Sequence, residues 1–591
     1  MGLMQRACET YDSLAPKYAG VYDSELKEVL APVSHIVTNA DIVITIDKKG
    51  NFISARATEK EEGKVIIPVT EDSAGRTSSP VAHPLCEQLG YLTGVNEKKY
   101  ELYVNQLNQW AVSKATHPTV SAVLAYVKGK SMLQDLEKYD LLIFDEKGRL
   151  KNEKDLVRWI VLGQDEPDCT KDRSLMNAFI CYYQDLKDHD NKEFSMIEGE
   201  IKPVAIQHAK GIVSIKGNAK LISSNDSSGF TYRGRFVNDK QAFSISYEAS
   251  QKAHNALKWL IANQGVIRGE RAYCCWTPQG IEIPSVNSSL LFASEPVKKY
   301  SDYQKALKDT LAGWQSKLPN NSTAIIASFD AATSGRLALT YYRELLASDF
   351  LERLYVWDEN CCWFNGRFGI QSPPLYNIVN YSFGNRRDES KIETEERVLK
   401  QQFQRLVACR IEQSIIPLDF VKALVTRCSN LTLYDQSLRE KMLFTACSVI
   451  KKHYYDRKKE EWSLALEPNR KDRSYQYGRL LAILEKAERD TYSAEEKREP
   501  NAIRLQPVFV QRPQSVATSI IEQIKKAYYP RLNPGKRSYY DRMIGDIMNV
   551  ISETSEKWDD RLESSYLMGY YLQKRELYQS NKEKDSTKED L

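Results

Sequence analysis

Several short stretches carry residue types that do chemistry elsewhere, and each implies a different reaction. Gly129-Lys130-Ser131 has the ending of a phosphate-binding loop, whose backbone amides cradle phosphate oxygens. That cradle needs a glycine five positions before Gly129, and Leu124 stands there, so the motif is incomplete. Asp188-His189-Asp190 has the side chains of a metal phosphohydrolase, but it lies in the charged run "QDLKDHDNKE" with no second histidine-rich segment near it. It reads as a solvated loop. Asp145, Glu146 and Lys147 follow an apolar run, as in the acidic half of a metal-dependent nuclease site. No matching upstream acid accompanies them, and a D-x-K-G turn accounts for the same residues.

The remaining signatures are absent. The 11 cysteines include no C-x-x-C, and two vicinal pairs, Cys274-Cys275 and Cys361-Cys362, sit in strand-like runs. Neighbours on a strand point to opposite faces, so such a pair is poorly placed to clamp a metal. They read as buried free thiols in a reducing compartment. The 7 histidines form no H-E-x-x-H, and no G-x-S-x-G elbow is present. The expectation is a chain with no catalytic constellation, no metal and no cofactor.

Charge is more informative. Between Lys497 and Arg542 stand 10 Lys or Arg against 3 acids, a local +7 in a chain whose net charge is +4. A phosphate backbone would select such a concentration. Within it, "KKAYYPRLNPGKRSYYDR" (Lys525 to Arg542) alternates cations with tyrosines 528, 529, 539 and 540. Lys525 and Lys526 lie near a helix C-terminus, where the macrodipole favours cations. Pro530 to Arg537 reads as a connection, with Ser538 as the next N-cap and Asp541 at N3. Lys536 and Arg537 would then oppose the dipole, which makes them the sharpest phosphate candidates, and Lys525, Lys526 and Arg531 complete this candidate nucleic-acid-binding set. A second candidate is "EDSAGRTSSP" (Glu71 to Pro80), where Arg76, Thr77, Ser78 and Ser79 put a guanidinium and hydroxyls on one loop.

The elements that must position these residues follow from periodicity. At 591 residues the chain is too long for one core. "DIVITIDKKGNFISA" (Asp41 to Ala55) and "YDLLIFDEKGRL" (Tyr139 to Leu150) read as hairpins. "YEASQKAHNALKWLIANQG" reads as a helix ending at Gly265, followed by strands in "RAYCCWTP" and "STAIIASFD". From about Ile392 helical stripes take over: Leu399, Phe403 and Leu406; Tyr477, Leu480, Leu481 and Leu484; Val516, Ile520, Ile524 and Tyr528; Tyr540, Met543, Ile544, Ile547 and Ile551; Leu562, Tyr566 and Tyr570. The expected architecture is α+β: a mixed α/β body over 1–391, an all-α C-terminal bundle over 392–579, and a polar, disordered tail over 580–591. No apolar run is long enough for a membrane span and the start lacks a signal peptide, so the expected location is cytoplasmic.

The stretches "GRTSSPVAHPLCEQLGYLTGV", "NAKLISSNDSSGF", "SFDAATSGRLALTYYRE", "WSLALEPNRKDRSYQYGRLLAILEKAE" and "LMGYYLQKRELY" stand in this order over nearly the full chain. In them the sequence resembles the large subunit of the type I-C CRISPR Cascade surveillance complex. Members of that Csd-type family tend to show a Ser-Pro-Asn-type turn where this chain has Phe329-Asp330-Ala331-Ala332. The resemblance implies a non-catalytic subunit whose N-terminal part recognises the protospacer-adjacent motif in target double-stranded DNA and supports R-loop formation, while the crRNA reads the remaining sequence. Implied partners are crRNA, the backbone, crRNA-end-binding and small subunits, and a recruited helicase–nuclease. On this reading Arg76, Thr77, Ser78 and Ser79 approach the motif, with Lys220, Ser224 and Asn225 as a second group. The resemblance also implies that the C-terminal bundle is made separately by internal translation, from Leu464 (128 residues) or Met442 (150 residues). The competing readings are a stand-alone nuclease using Asp145, Glu146 and Lys147, and a scaffold without nucleic-acid contact.

Overall fold

The structure, a computed structural model, describes residues 2–76, 79–215, 217–223, 236, 241, 243–291, 295–331, 333–554 and 557–578. Thr77, Ser78, Ser224, Asn225 and the tail 580–591 lie outside these residues. The chain divides into two compact units, Met1–Ile283 with Thr323–Glu344, and Pro284–Ser322 with Leu345–Leu591. The fold class is α+β.

The first unit is built on two four-stranded sheets. In one, β2 (Ile42–Asp47) pairs antiparallel with β3 (Phe52–Ala57) and parallel with β6 (Leu156–Leu162), and β5 (Glu87–Gln88) lies antiparallel on the far edge of β6. Ile42, Val43, Ile44 and Ile46 are all buried, as befits a strand covered on both faces. The β2–β3 turn is the expected hairpin. The Asp47 carboxylate accepts the amides of Lys49 (2.8 Å) and Asn51 (2.9 Å), and Gly50 supplies φ +84°. A Cβ at Gly50 would meet the Ala122 carbonyl oxygen at 2.6 Å, so the turn also needs glycine for clearance. The second expected hairpin, Tyr139 to Leu150, is reduced to one bridge between Phe144 and Leu150. Its flanks, Ile143 and Phe144, are exposed, so no apolar face holds longer strands together.

In the other sheet β9 (Val266–Arg268) and β11 (Thr323–Asp330) each pair antiparallel with β10 (Arg271–Trp276), and β12 (Ala338–Leu346) lies beside β11. Around the two sheets lie β1 (His35–Asn39), which pairs with β4 (Lys64–Pro68), and several helices. Among them are α1 (Leu3–Tyr18), α2 (Glu71–Gly75), α3 (Pro118–Lys128) and α4 (Arg173–Lys187). An exposed hairpin follows, β7 (Lys192–Ser195) with β8 (Glu200–Pro203). Helix α5 (Tyr247–Gln264) ends at Gly265 as expected and packs on α1.

The second unit is mostly helical. Its longer helices are α6 (Tyr300–Ser316), α7 (Ala347–Asn360), α8 (Glu396–Glu412), α9 (Leu418–Cys428), α10 (Gln436–Lys458), α11 (Arg473–Arg489), α12 (Pro513–Gln523), α13 (Pro534–Ser552) and α14 (Ser565–Tyr578). Among the described residues no strand follows Glu393. The stripes read from the sequence form its core; only Val516 and Met543 are partly exposed. Arg410 on α8 explains why residues near 286 belong here. Its guanidinium donates to the carbonyls of Val286 (2.7 Å) and Ser288 (2.8 Å) and pairs with Asp358 of α7 (3.2 Å).

Candidate nucleic-acid interface

Helix α2 opens the first candidate region. Thr70 caps it, its hydroxyl accepting the Ser73 amide at 3.1 Å. The next residue, Glu71, is buried, and one carboxylate oxygen accepts the amides of Ile206 and Gln207, both at 2.5 Å. The other meets Lys187 Nζ at 2.7 Å. Burial works against the Lys187 charge, but the bonds to Glu71 and Asp190 outweigh it and its pKa is raised. Asp190 of the Asp-His-Asp triplet is thus a partner for Lys187 (2.9 Å).

Arg76, the first residue after α2, is turned inward. Its guanidinium makes a bidentate pair with Glu87 (2.5 and 2.9 Å), donates to the Val81 carbonyl (2.8 Å) and lies over the Tyr91 ring. Glu87 is wholly buried and also accepts the His83 amide at 2.5 Å. Of the loop residues beyond Arg76, Ser79 is exposed.

Lys220 lies in the same neighbourhood. Its amide donates to the Gly335 carbonyl (3.2 Å), its carbonyl accepts from Leu337 (2.9 Å), and its backbone bridges to Lys210. The side chain is half-buried and has no ion-pair partner among the described residues. Burial first, then the Lys210 charge, lowers its pKa, with Glu71 opposing. Lys210 also acts on His83, whose Nδ1 lies 2.9 Å from Ser73 Oγ on α2. Three stretches far apart in sequence, around Arg76, Lys220 and Arg336, therefore meet in one place. Sequence reasoning named the first two separately; Lys210 and Arg336 were missed because only the fold joins them. Two lysines of like charge, one half-desolvated, gain from any anion that arrives between them.

The second candidate region is differently arranged. The helix after the Pro530–Arg537 connection begins earlier than Ser538. Asn533 is the N-cap, its side chain accepting the Lys536 amide at 2.8 Å, and Pro534 occupies the first turn. This Asn-Pro start satisfies an end amide and presets φ, so Lys536 and Arg537 are inside the helix. Lys536 Nζ pairs with Asp490 Oδ2 at 3.1 Å, and that carboxylate also accepts Tyr540 OH (2.8 Å) and Lys486. Arg537 donates to the carbonyls of Leu532 (2.9 Å) and Pro530 (3.3 Å). The unfavourable dipole position is thus offset inside the protein, by an acid 46 positions upstream of Lys536. Lys525, in a π-helical turn spanning Ile524–Tyr528, approaches Asp541 (3.7 Å). Lys526 and Arg531 are exposed without an ion pair among the described residues. Tyr528, Tyr529 and Tyr540 are buried, and Tyr539 is exposed.

Elsewhere the bland readings hold. The Asp145 carboxylate accepts the amides of Lys147 (2.9 Å) and Arg149 (2.8 Å), the geometry of a turn. Gly129 terminates α3. Cys274, Cys275, Cys361 and Cys362 are buried free thiols, and burial raises the pKa of Cys274, Cys361 and Cys362. Among the described residues no helix is long and apolar enough to cross a membrane.

The family model described as CRISPR-associated protein (Cas_Csd1) matches residues 9–578. No curated protein matches the chain.

Proposed function

Because the chain belongs to the CRISPR-associated Csd1 family, we propose that it is the non-catalytic large subunit of a crRNA-guided type I-C Cascade complex. In this role it recognises the protospacer-adjacent motif in double-stranded DNA and supports R-loop formation, working in the cytoplasm with crRNA, the other Cascade subunits and a recruited helicase–nuclease. The observation that carries the reading is the convergence on Lys220. A half-buried lysine beside a second lysine, without a carboxylate partner among the described residues, stands where the Arg76 and Arg336 segments meet. Backbone phosphate is the ligand such a pair favours, and phosphate contacts set the register in which a neighbouring loop meets base edges.

Titrating duplex DNA against the wild type and Lys220→Met tests this. The expected result is weaker binding, with the slope of log affinity against log salt reduced by about 1. An unchanged affinity and slope, together with unchanged values for Lys526→Met and Arg531→Met, would favour a scaffold without nucleic-acid contact.

The separately made C-terminal form belongs to the same proposal. Leu464 lies between α10 and α11, so a product starting there keeps α11 to α14 whole. Met442 lies within α10, and a start there cuts that helix. A C-terminal tag that reports only full-length protein would end this part of the reading.

A further inference from the structure

Glu87 is tied into a constrained stretch of the first unit. It stands on β5, the short strand on the edge of β6, and its carboxylate is fully buried. The stretch just before it is held at many points. Leu85 is buried in the left-handed region (φ +66°), a costly conformation for a leucine. Its carbonyl accepts both Tyr103 OH (2.7 Å) and Trp159 Nε1 (3.0 Å). From this anchor the Glu87 carboxylate reaches out to residues on both sides of the Thr77–Pro80 segment. It takes the Arg76 guanidinium on one side and the His83 amide on the other. Arg76 in turn holds the Val81 carbonyl. A guanidinium paired in this bidentate way, with only 16% of its side chain exposed, is withdrawn from solution.

We propose that Glu87 is a positioning residue for DNA recognition: it fixes Arg76 and Val81–His83 relative to the sheet and withholds the Arg76 charge from DNA phosphates. The inference rests on the proposed DNA-binding role and deepens it. Sequence-independent affinity rises with each available cation, so an unclamped Arg76 would grip any duplex. Discrimination is a difference between affinities, and it falls when the non-specific one grows. Holding the arginine internally therefore serves selectivity twice, by fixing Arg76 and Val81–His83 and by removing an indiscriminate contact.

The test uses the full chain, duplexes randomised over a short window, and sequencing of the bound fraction. The proposed role in motif recognition requires the wild type to enrich a motif; failure to do so overturns that reading independently of any Glu87 variant. If a motif is enriched, Glu87→Gln is expected to reduce the enrichment at least tenfold. It is also expected to raise affinity for an unrelated duplex and steepen its salt slope by about 1. The double variant Arg76→Leu/Glu87→Leu, which replaces the ion pair by apolar groups, keeps the fold in play. It should lose enrichment without gaining the steeper slope. Glu87→Gln with wild-type enrichment, or with an unaltered slope on the unrelated duplex, overturns the inference. A role limited to stability would lower the melting temperature and leave the slope where it was.

Discussion

Four buried histidines give the first unit a pH response of definite sign. Burial is the first cause in each case, pulling His35 and His254 down to about 4 and His83 and His208 to about 3, from an ordinary 6.5. In the unfolded chain these rings take up protons below about pH 6.5, while in the fold they stay neutral to lower pH. Their contribution to stability is complete above the unfolded pKa and is lost as pH falls from there towards the folded values, by about 1.4 kcal/mol per pH unit for each ring. His35 isolates the effect. Its Nδ1 lies 2.9 Å from the Val33 carbonyl and its ring stands edge-on to Phe179. Chemical unfolding of His35→Gln across pH 6.5 to 4.5 should show a slope shallower than the wild type by roughly that amount per unit. Parallel slopes would mean that the ring is protonated in the fold. Single residues also show where the sequence stops being legible. Lys536 looks unopposed in the sequence because its partner, Asp490, lies 46 positions away, just past the end of α11. Arg76 looked available because nothing in the local pattern marks Glu87 as buried. Residue type reports what a side chain can do; only the fold reports what already occupies it.

At the scale of elements the periodic signal served well, because burial repeats along a helix or strand. The α11, α13 and α14 stripes and the β2–β3 hairpin were readable for that reason. Ends were less readable, since caps depend on one or two residues. Ser538 and Asn533 are both good N-cap types, and Pro534 next to Asn533 decides between them. Asn533→Ala should therefore cost about 1 kcal/mol, read as a lower denaturant midpoint for the second unit, whereas Ser538→Ala should be near neutral. The reverse order would restore the later start. The close approach of α11 to α14 depends on two glycines whose importance the sequence hides. A Cβ on Gly478 would lie 1.9 Å from the Tyr566 carbonyl oxygen, and one on Gly569 would lie 2.1 Å from that of Tyr475. Backbone cannot yield as a flexible side chain can, so the helices must separate. Gly478→Ala should lower the melting temperature although alanine is the better helix former, opposing the roughly 1 kcal/mol its propensity would add. A rise in melting temperature would mean that the crossing is looser than the structure has it.

For the whole molecule the instructive quantity is which contacts close within a segment and which leave it. The chain passes between its two units three times, so neither unit is a contiguous stretch that could simply be cut out. Residues 464–591 are a different case. Glu485, 1% exposed on α11, is held by Lys574 (3.0 Å), Tyr570 (2.6 Å) and Arg489 (2.9 Å), all inside the segment. Burial pushes that carboxyl up, and these partners outweigh it and lower the pKa. The close approach of α11 to α14 is internal as well. Other ties leave the segment: Tyr566 OH meets Ser429 Oγ (2.5 Å), Tyr571 OH donates to the Phe364 carbonyl (2.8 Å), Gln506 donates to the Cys428 carbonyl (3.0 Å), Arg439 pairs with Glu499 (2.5 Å), Arg470 pairs with Glu460, and Cys447 Sγ approaches the Leu567 carbonyl (3.6 Å). Cutting at Leu464 therefore keeps the tightest packing and bares the face that α9 and α10 cover. Expressed alone, 464–591 should be helical and melt cooperatively, and it should self-associate through that face at concentrations where a longer piece, 418–591, stays monomeric. Circular dichroism with sedimentation reads both properties. A segment without a cooperative transition would show that its core is borrowed from α9 and α10, and the case for an independently made C-terminal form would fall with it.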